Sequence, residues 1–333
     1  MEKLRWWEWL LLLVIVGVAA YLRLWRVVET PGWFTDEGTH LEIARHLSNG
    51  RLQYLSVNQS VLLFARLPLF EWVLAGAVRL FGLGMGTVRG VTAIFGISSV
   101  VLQYFVVWDV SKDRWLALLA ALMLAIFPAA VVYSRFGFSY NLLAPLVLVA
   151  VWGLHRYVRE DLSGKQPQVA KTMTGLGAAA TAIGLALISD LWALSLLPVL
   201  VLVVLWRRWR DLWWSLLLTL LPLGVFTAVS LLTIPDAFLF DVQFTLSRVS
   251  SPLAAQVRQL VVNVVTLLSQ NGWMALGVVG VFGLRPLRLS SVHAFRLQAI
   301  VWLFLLLPVL VIGRTAALTS LSFYYMIPVL PLV

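Results

Sequence analysis

Asp36, Glu37 and His40 stand within five positions of one another in the stretch "GWFTDEGTHLEIARHL", Gly32 to Leu47. An ionised carboxylate here can act as a base on an incoming hydroxyl, or ligate a divalent metal through oxygen. His40 lies one turn after Asp36 on the same helical face. It either positions that carboxylate, touches a substrate, or is an ordinary interfacial histidine. A plainer reading competes: Thr35 caps a helix whose first turn holds both acids, where the helix dipole favours them. The surroundings of the stretch decide between these readings.

The chain has 333 residues, 61% of them hydrophobic and 12% charged, with a mean hydropathy of +0.92. A soluble domain carries about 25% charged residues. Repeated apolar runs of membrane-spanning length therefore predict an all-α polytopic membrane protein. A β-barrel is disfavoured because the runs are continuous rather than alternating. The net charge of +10 does not signal nucleic acid, because the basic residues sit in short clusters between apolar runs, as cytoplasmic loops do. There are no cysteines, hence no disulfide and no thiolate metal site, and the four histidines have no zinc-type spacing.

Apolar runs lie near 8–25, 67–82, 89–109, 115–132, 142–157, 173–189, 191–206, 212–232, 260–283, 298–312 and 322–333. The first reads as an uncleaved signal-anchor with a cytoplasmic N-terminus. If 67–82 spans, the clusters "HRYVRE", "RRWR" and "RPLRL" fall outside, against the positive-inside bias. If 67–82 instead lies on the outer surface, nearly every basic cluster becomes cytoplasmic. Pro68, Glu71 and Arg79 also suit an interfacial amphipathic helix. This layout predicts about ten crossings in one transmembrane domain over 1–333, with a first outer loop over about 27–88. It predicts further outer segments at 132–141, 189–192, 233–259 and 313–322. The last run stops without a polar cap, so the expectation is a chain that continues beyond Val333 or a partial crossing. His155 and His293 fall in cytoplasmic loops, solvated or at headgroup level. Most of the 16 tryptophans flank apolar runs as an aromatic belt. Trp33 and Trp192 lie outside, where they anchor the chain or stack on a sugar.

The outer arginines run against the charge trend, which makes each a candidate for binding an anion. They include Arg66, Arg89, Arg135, Arg248 and Arg258. The last two flank a polar stretch, "SRVSSPLAAQVR", and either meet a lipid phosphate or snorkel.

The run "WFTDEGTHLEIARHLSNGR" resembles the first outer loop of the polyprenyl-phosphate-dependent membrane glycosyltransferases of the GT-C fold, such as the protein mannosyltransferases and lipid A aminoarabinose transferases. "RLPLFEWVLAGAVRLFG" is similar to that family's surface helix, and "TVRGVTAIFGISSVVLQYFVV" to its second crossing. "FPAAVVYSRFGFSYNLLAPLVL" resembles its next outer turn, and "FYYMIPVLPLV" a late crossing. The resemblance covers most of residues 1–150 in order and less of the rest. It implies a GT-C-like bundle in the plasma (inner) membrane that moves a sugar from a polyprenyl-phosphate donor to a protein, lipid or glycan acceptor on the outer face. Asp36 would be the base, or a metal ligand if a divalent metal takes part, with Glu37 supporting it. Arg66, Arg89 and Arg135 would hold phosphate or orient the carboxylates. The sequence departs from the pattern at Asn141, where many relatives have a carboxylate, at Leu67, which replaces a proline, and at Asp190, near a position where relatives often have Lys. These departures keep open a second function, a catalytically inactive subunit of a membrane complex. A transporter is disfavoured, because the ionisable residues cluster at the surface rather than at mid-membrane.

Overall fold

The computed structural model describes residues 6–51, 66–159, 169–247, 252–270, 291–314 and 320–332, and among these residues it contains helices and turns but no strand. In chain order the helices are α1 (Trp6–Leu24), α2 (Thr35–Ser48), α3 (Pro68–Phe81), α4 (Met85–Ser111), α5 (Arg114–Ile126), α6 (Pro128–Ser134) and α7 (Tyr140–Arg159). They continue with α8 (Val169–Leu187), α9 (Leu197–Arg207), α10 (Leu212–Thr233), α11 (Pro235–Ser247), α12 (Leu253–Gln270) and α13 (Ser291–Gly313). Tight 3-10 stretches occupy Leu191–Leu196, Trp209–Asp211 and Ser320–Leu332. In the last, Pro328 and Pro331 lack the amide hydrogens a regular α-helix needs.

Among the described residues, α1, α4, α7 and the segment Trp209–Thr233 are each long and apolar enough to cross a membrane, and α5 with α6 forms a fifth candidate crossing bent by 56°. Shorter apolar helices pack beside them, as expected of a multi-pass membrane protein. The bend has a chemical cause. Pro128 offers no N–H to the carbonyl of Leu124 four residues earlier. Arg23, wholly buried on α1, supplies the missing donors: its Nη2 donates to Leu124 O at 3.1 Å and its Nη1 to Ala125 O at 2.8 Å.

The largest core lies around α7, which packs on α8, α9 and α13 through Leu154, Tyr157, Ile183, Val203 and Phe304. Its closest contact is between glycines. A Cβ on Gly153 would come within 2.5 Å of the Gly175 carbonyl oxygen, so the two backbones touch as small residues permit in membranes. A second core joins α1, α4 and α5 through Leu12, Val100, Tyr104 and Ala121.

Ion pairs close one end of the bundle. Glu8 meets Arg114 at 2.6 Å, and Asp109 meets Lys112 at 2.7 Å and Arg156 at 2.8 Å. Tyr157 Oη donates to Asp211 at 2.8 Å. At the opposite end α1 finishes and α4 begins, held together by Arg89 of α4 on the carbonyls of Val27 to Gly32. The chain between them thus leaves and returns at one end, where α2 and α3 lie. With 14 residues, α3 is about 21 Å long, short of the ~30 Å apolar core of a bilayer.

Two expectations are corrected. The stretch 233–259 is not an open loop, since most of it forms α11 and the start of α12. His155 is not solvated: α7 continues to Arg159, and the histidine is buried in the helix. His293 belongs to α13 rather than to a loop.

The α7–α8 contact generates a test. Gly153→Leu forces the two backbones apart and is expected to cost about 1–3 kcal/mol by overpacking, read as a lower unfolding temperature in detergent. Gly17→Leu, on α1 with nothing within 4 Å of an added Cβ, is the control expected to leave that temperature unchanged.

Candidate functional site

Helix α2 starts at Thr35, and its N-cap is Phe34, one residue earlier than the cap expected from the sequence. Glu37, the third helical residue, reaches back to accept the Phe34 N–H at 3.1 Å, as the acid of a capping box does. Consecutive helical residues point about 100° apart. The two adjacent acids therefore face different surroundings: the Glu37 side chain is 0% exposed and that of Asp36 35%.

Glu37 is a buried hub. Its Oε1 accepts from Arg89 Nε at 2.8 Å and from the Gly137 amide at 2.8 Å, and its Oε2 accepts from Arg89 Nη2 at 2.7 Å. Arg89 uses its remaining donors on the first loop, with Nη1 on the carbonyls of Val27, Val28 and Pro31 at 2.9, 3.2 and 2.8 Å and Nη2 on Gly32 at 3.0 Å. Such a saturated guanidinium orients a carboxylate and leaves no donor for a phosphate. Arg135 is engaged in the same way. It donates to the carbonyls of Leu22, Trp25, Arg26 and Thr30 and to Thr30 Oγ1, at 2.6–3.2 Å. Between them the two arginines staple residues 22–32.

The turn "RFGFSYN", Arg135 to Asn141, assigns a task to every second residue. Gly137 leaves no room for a side chain, since an added Cβ would collide with Val88 Cγ1 and crowd Glu37 Cγ at 3.3 Å. Ser139 Oγ donates to Asp190 Oδ2 at 2.9 Å. Asn141, buried, donates from Nδ2 to the carbonyls of Tyr133, Phe136 and Phe138 at 3.1, 3.1 and 3.3 Å. Its amide thus shapes the turn.

Asp36 meets Arg66 at 3.0 Å, and the two side chains are 35% and 19% exposed. This contact is the first of three polar rungs between α2 and α3, which therefore run parallel. The second joins His40 Nδ1 to Glu71 Oε1 at 2.5 Å, and the third joins Arg79 Nε to the Ser48 carbonyl at 2.8 Å. Ala44, Phe70, Leu74 and Val78 pack between them. The first turn of α3 is seated on a neighbouring segment by Leu69 N–H, which donates to Ile188 O at 3.0 Å. That seat brings the 188–192 turn to the site. There Asp190 accepts from the Trp192 amide at 2.9 Å, and burial pushes its carboxyl up, with the Trp192 amide and the Ser139 hydroxyl working against the rise. Burial also disfavours the Arg66 cation, but Asp36 first, then Tyr140, Asp190 and Glu71, hold it above its ordinary range.

The structure thus brings Asp36, Glu37, His40, Arg66, Arg89, Arg135 and Asn141 to one end of the bundle, but with different surroundings. His40 is buried against Glu71 and Phe70. Arg258 is exposed on α12 and takes no part in the Asp36–Arg66 contact, and Arg248 lies outside the described residues. Trp33 is exposed, whereas Trp192 is buried and donates from Nε1 to Tyr325 O at 2.7 Å. Sequence reasoning did not single out Glu71, Gly137 or Ser139 as part of the site. The signal for Glu71 was an acid on the buried side of an amphipathic helix, whose partner only the fold reveals. A divalent metal does not fit this donor set. Glu37 is saturated by N–H donors, Asp36 is paired to Arg66, the Asn141 amide lies on carbonyls, and no group of three His, Cys, Asp or Glu converges among the described residues. What the site offers chemically is one half-exposed carboxylate beside one half-buried guanidinium, a base next to an anion holder.

Glu37→Gln leaves Arg89 buried without its counter-charge and is expected to cost about 3–5 kcal/mol. Arg89→Lys keeps the charge but loses the fork. Thermal unfolding in detergent is expected to show both variants clearly destabilised.

The profile of the dolichyl-phosphate-mannose-protein mannosyltransferases matches residues 41–250. No curated protein sequence matches the chain. Among solved structures, ArnT from Cupriavidus metallidurans bound to undecaprenyl phosphate is similar with a TM-score of 0.70 at 17% identity, over 98% of this chain and 58% of that one. The S. cerevisiae protein O-mannosyltransferase Pmt1–Pmt2 complex bound to the sugar donor gives 0.53 at 21% identity, over 73% and 34%. The Archaeoglobus fulgidus oligosaccharyltransferase tethered with an acceptor peptide gives 0.57 at 14%, over 98% and 49%. These likenesses are of fold, the GT-C fold of membrane glycosyltransferases, and the chain spans 58% of the length of ArnT. Because the matched segment runs from within α2 into the residues after α11 and takes in more than half of the sequence, the chain belongs to the dolichyl-phosphate-mannose-protein mannosyltransferase family.

Proposed function

We propose that the chain carries the reacting centre of a glycosyltransferase that moves a sugar from a polyprenyl-phosphate donor to a hydroxyl or amide acceptor. The observation that supports this most is the Asp36–Arg66 pair, a base and an anion holder at 3.0 Å, both partly exposed on a scaffold of the family's fold. In the step, Asp36 takes the acceptor's proton as the acceptor atom bonds to the anomeric carbon. The bond from that carbon to the phosphate oxygen breaks, and the polyprenyl phosphate leaves with the electron pair. Arg66 stabilises the departing charge with its forked donors. Glu37, Arg89 and Arg135 hold the loop and helix that present Asp36. ArnT was solved with undecaprenyl phosphate and the Pmt1–Pmt2 complex with a sugar donor, which supports a lipid-phosphate sugar as the donor class here.

The site is assigned to the outer face of the plasma membrane. Lys112, Arg114, Arg156, Arg159, Arg207, Arg208 and Arg210 cluster in or beside the short connections at the other end of the bundle, and the positive-inside rule puts such connections in the cytoplasm. The second reading, a subunit that keeps the scaffold without turnover, is favoured by Asn141, a departure from the family pattern whose amide lies on backbone carbonyls.

Purified protein is expected to release sugar from labelled polyprenyl-phosphate donors. Asp36→Asn is expected to lower the rate about 10²-fold or more, the usual worth of a positioned base, with unchanged thermal stability. Equal rates in the two proteins would remove Asp36 from the role of base. Donor binding without turnover in the wild type would favour the subunit reading.

A further inference from the structure

Of the three rungs between α2 and α3, the middle one is sealed from water. The side chains of His40 and Glu71 are each 1% exposed, with Nδ1 and Oε1 2.5 Å apart. At that separation a proton lies between the two atoms, whichever atom carries it. The His40 ring also meets Phe70 edge to face at 5.0 Å. Glu71 Oε2 has no hydrogen-bond partner among the described residues. A buried carboxylate is costly unless paired, so Glu71 depends on His40, and α3 can settle only where the two meet. The outer rungs set this register less firmly, because pairs open to water are worth little. A slip of one residue would shift α3 by about 1.5 Å along its axis, enough to break the 3.0 Å contact between Arg66 and Asp36.

We propose that Glu71 is a positioning residue. By binding His40 it fixes the register of α3 along α2, and so delivers Arg66 to Asp36. The consequence for donor binding rests on the transferase reading above, whereas the register itself does not.

The chain has no cysteine, so spin labels on Arg45→Cys of α2 and Leu80→Cys of α3, both exposed, report the register directly by electron-electron distance measurement. The distribution is expected to be narrow in the labelled parent, to broaden in Glu71→Ala and His40→Ala, and to recover in part in Glu71→Gln, which can still bond to the histidine. A second arm measures affinity for undecaprenyl phosphate. Glu71→Ala is expected to weaken binding about tenfold when Arg66 is present and not at all in an Arg66→Ala background, a dependence that general destabilisation would not produce. A narrow distribution in Glu71→Ala, or an equal loss of affinity in both backgrounds, overturns the proposal. If the parent protein does not bind undecaprenyl phosphate, the donor reading fails, and the spin-label arm alone decides the role of Glu71.

Discussion

The buried pair of Arg89 and Glu37 is the constraint on which the site end of the molecule depends. Two charges removed from water are tolerable only when geometry and further hydrogen bonds compensate. Here both ions are saturated. Glu37 accepts two bonds from Arg89 and one each from the Phe34 and Gly137 amides, and Arg89 gives its other donors to four carbonyls of the first loop. Three pieces of chain distant in sequence are thereby joined: the first loop with the start of α2, the start of α4, and the turn before α7. None can move without stranding a buried charge. The pair also fixes which way Asp36 points, because once Glu37 is committed inward, helical geometry turns its neighbour toward the open side.

This division explains why a very hydrophobic chain carries two adjacent acids. The dipeptide combines an anchor and a reactive group, and burial separates the two roles. The same logic sorts the arginines. Arg23 caps carbonyls freed by the Pro128 bend, and Arg89 and Arg135 tie down residues 22–32. An Arg whose guanidinium is committed to carbonyls of residues 22–32, as those of Arg89 and Arg135 are, is a structural part, however well its position suits phosphate. Arg66 differs because its partner is itself partly exposed.

The legible parts of this arrangement were local or statistical. The helical class follows from composition, and the reading of 67–82 as a surface helix followed from the distribution of basic residues. Asp36 and Glu37 could be flagged from their types and setting. The illegible parts depend on long-range contact. Nothing near Asn141 shows that its amide will fold back on Tyr133, Phe136 and Phe138, nor does the neighbourhood of His40 show that its partner lies 31 residues on. His155 was misplaced because the helix end was taken from where the basic cluster begins, while α7 continues for four residues past the histidine. The 233–259 stretch was taken for a loop on the same ground, and polar residues at helical spacing hid α11 and the start of α12.

The contrast in burial between the two acid–arginine pairs bears on mechanism under the transferase reading. A half-exposed pair contributes about 0–1 kcal/mol, so the phosphodiester anion of the donor can take Arg66 from Asp36 at little cost, and the charge that develops on the phosphate as the sugar leaves strengthens that hold. The exchange would free the carboxylate when the donor binds, and it would leave Asp36 occupied when no donor is present. The Arg89–Glu37 pair cannot exchange in this way, because separating it would leave both ions desolvated and unpaired. One pair is thus suited to be broken in each cycle and the other to hold still while that happens. Their positions, one residue apart on α2, make the rigid pair the reference against which the labile one moves.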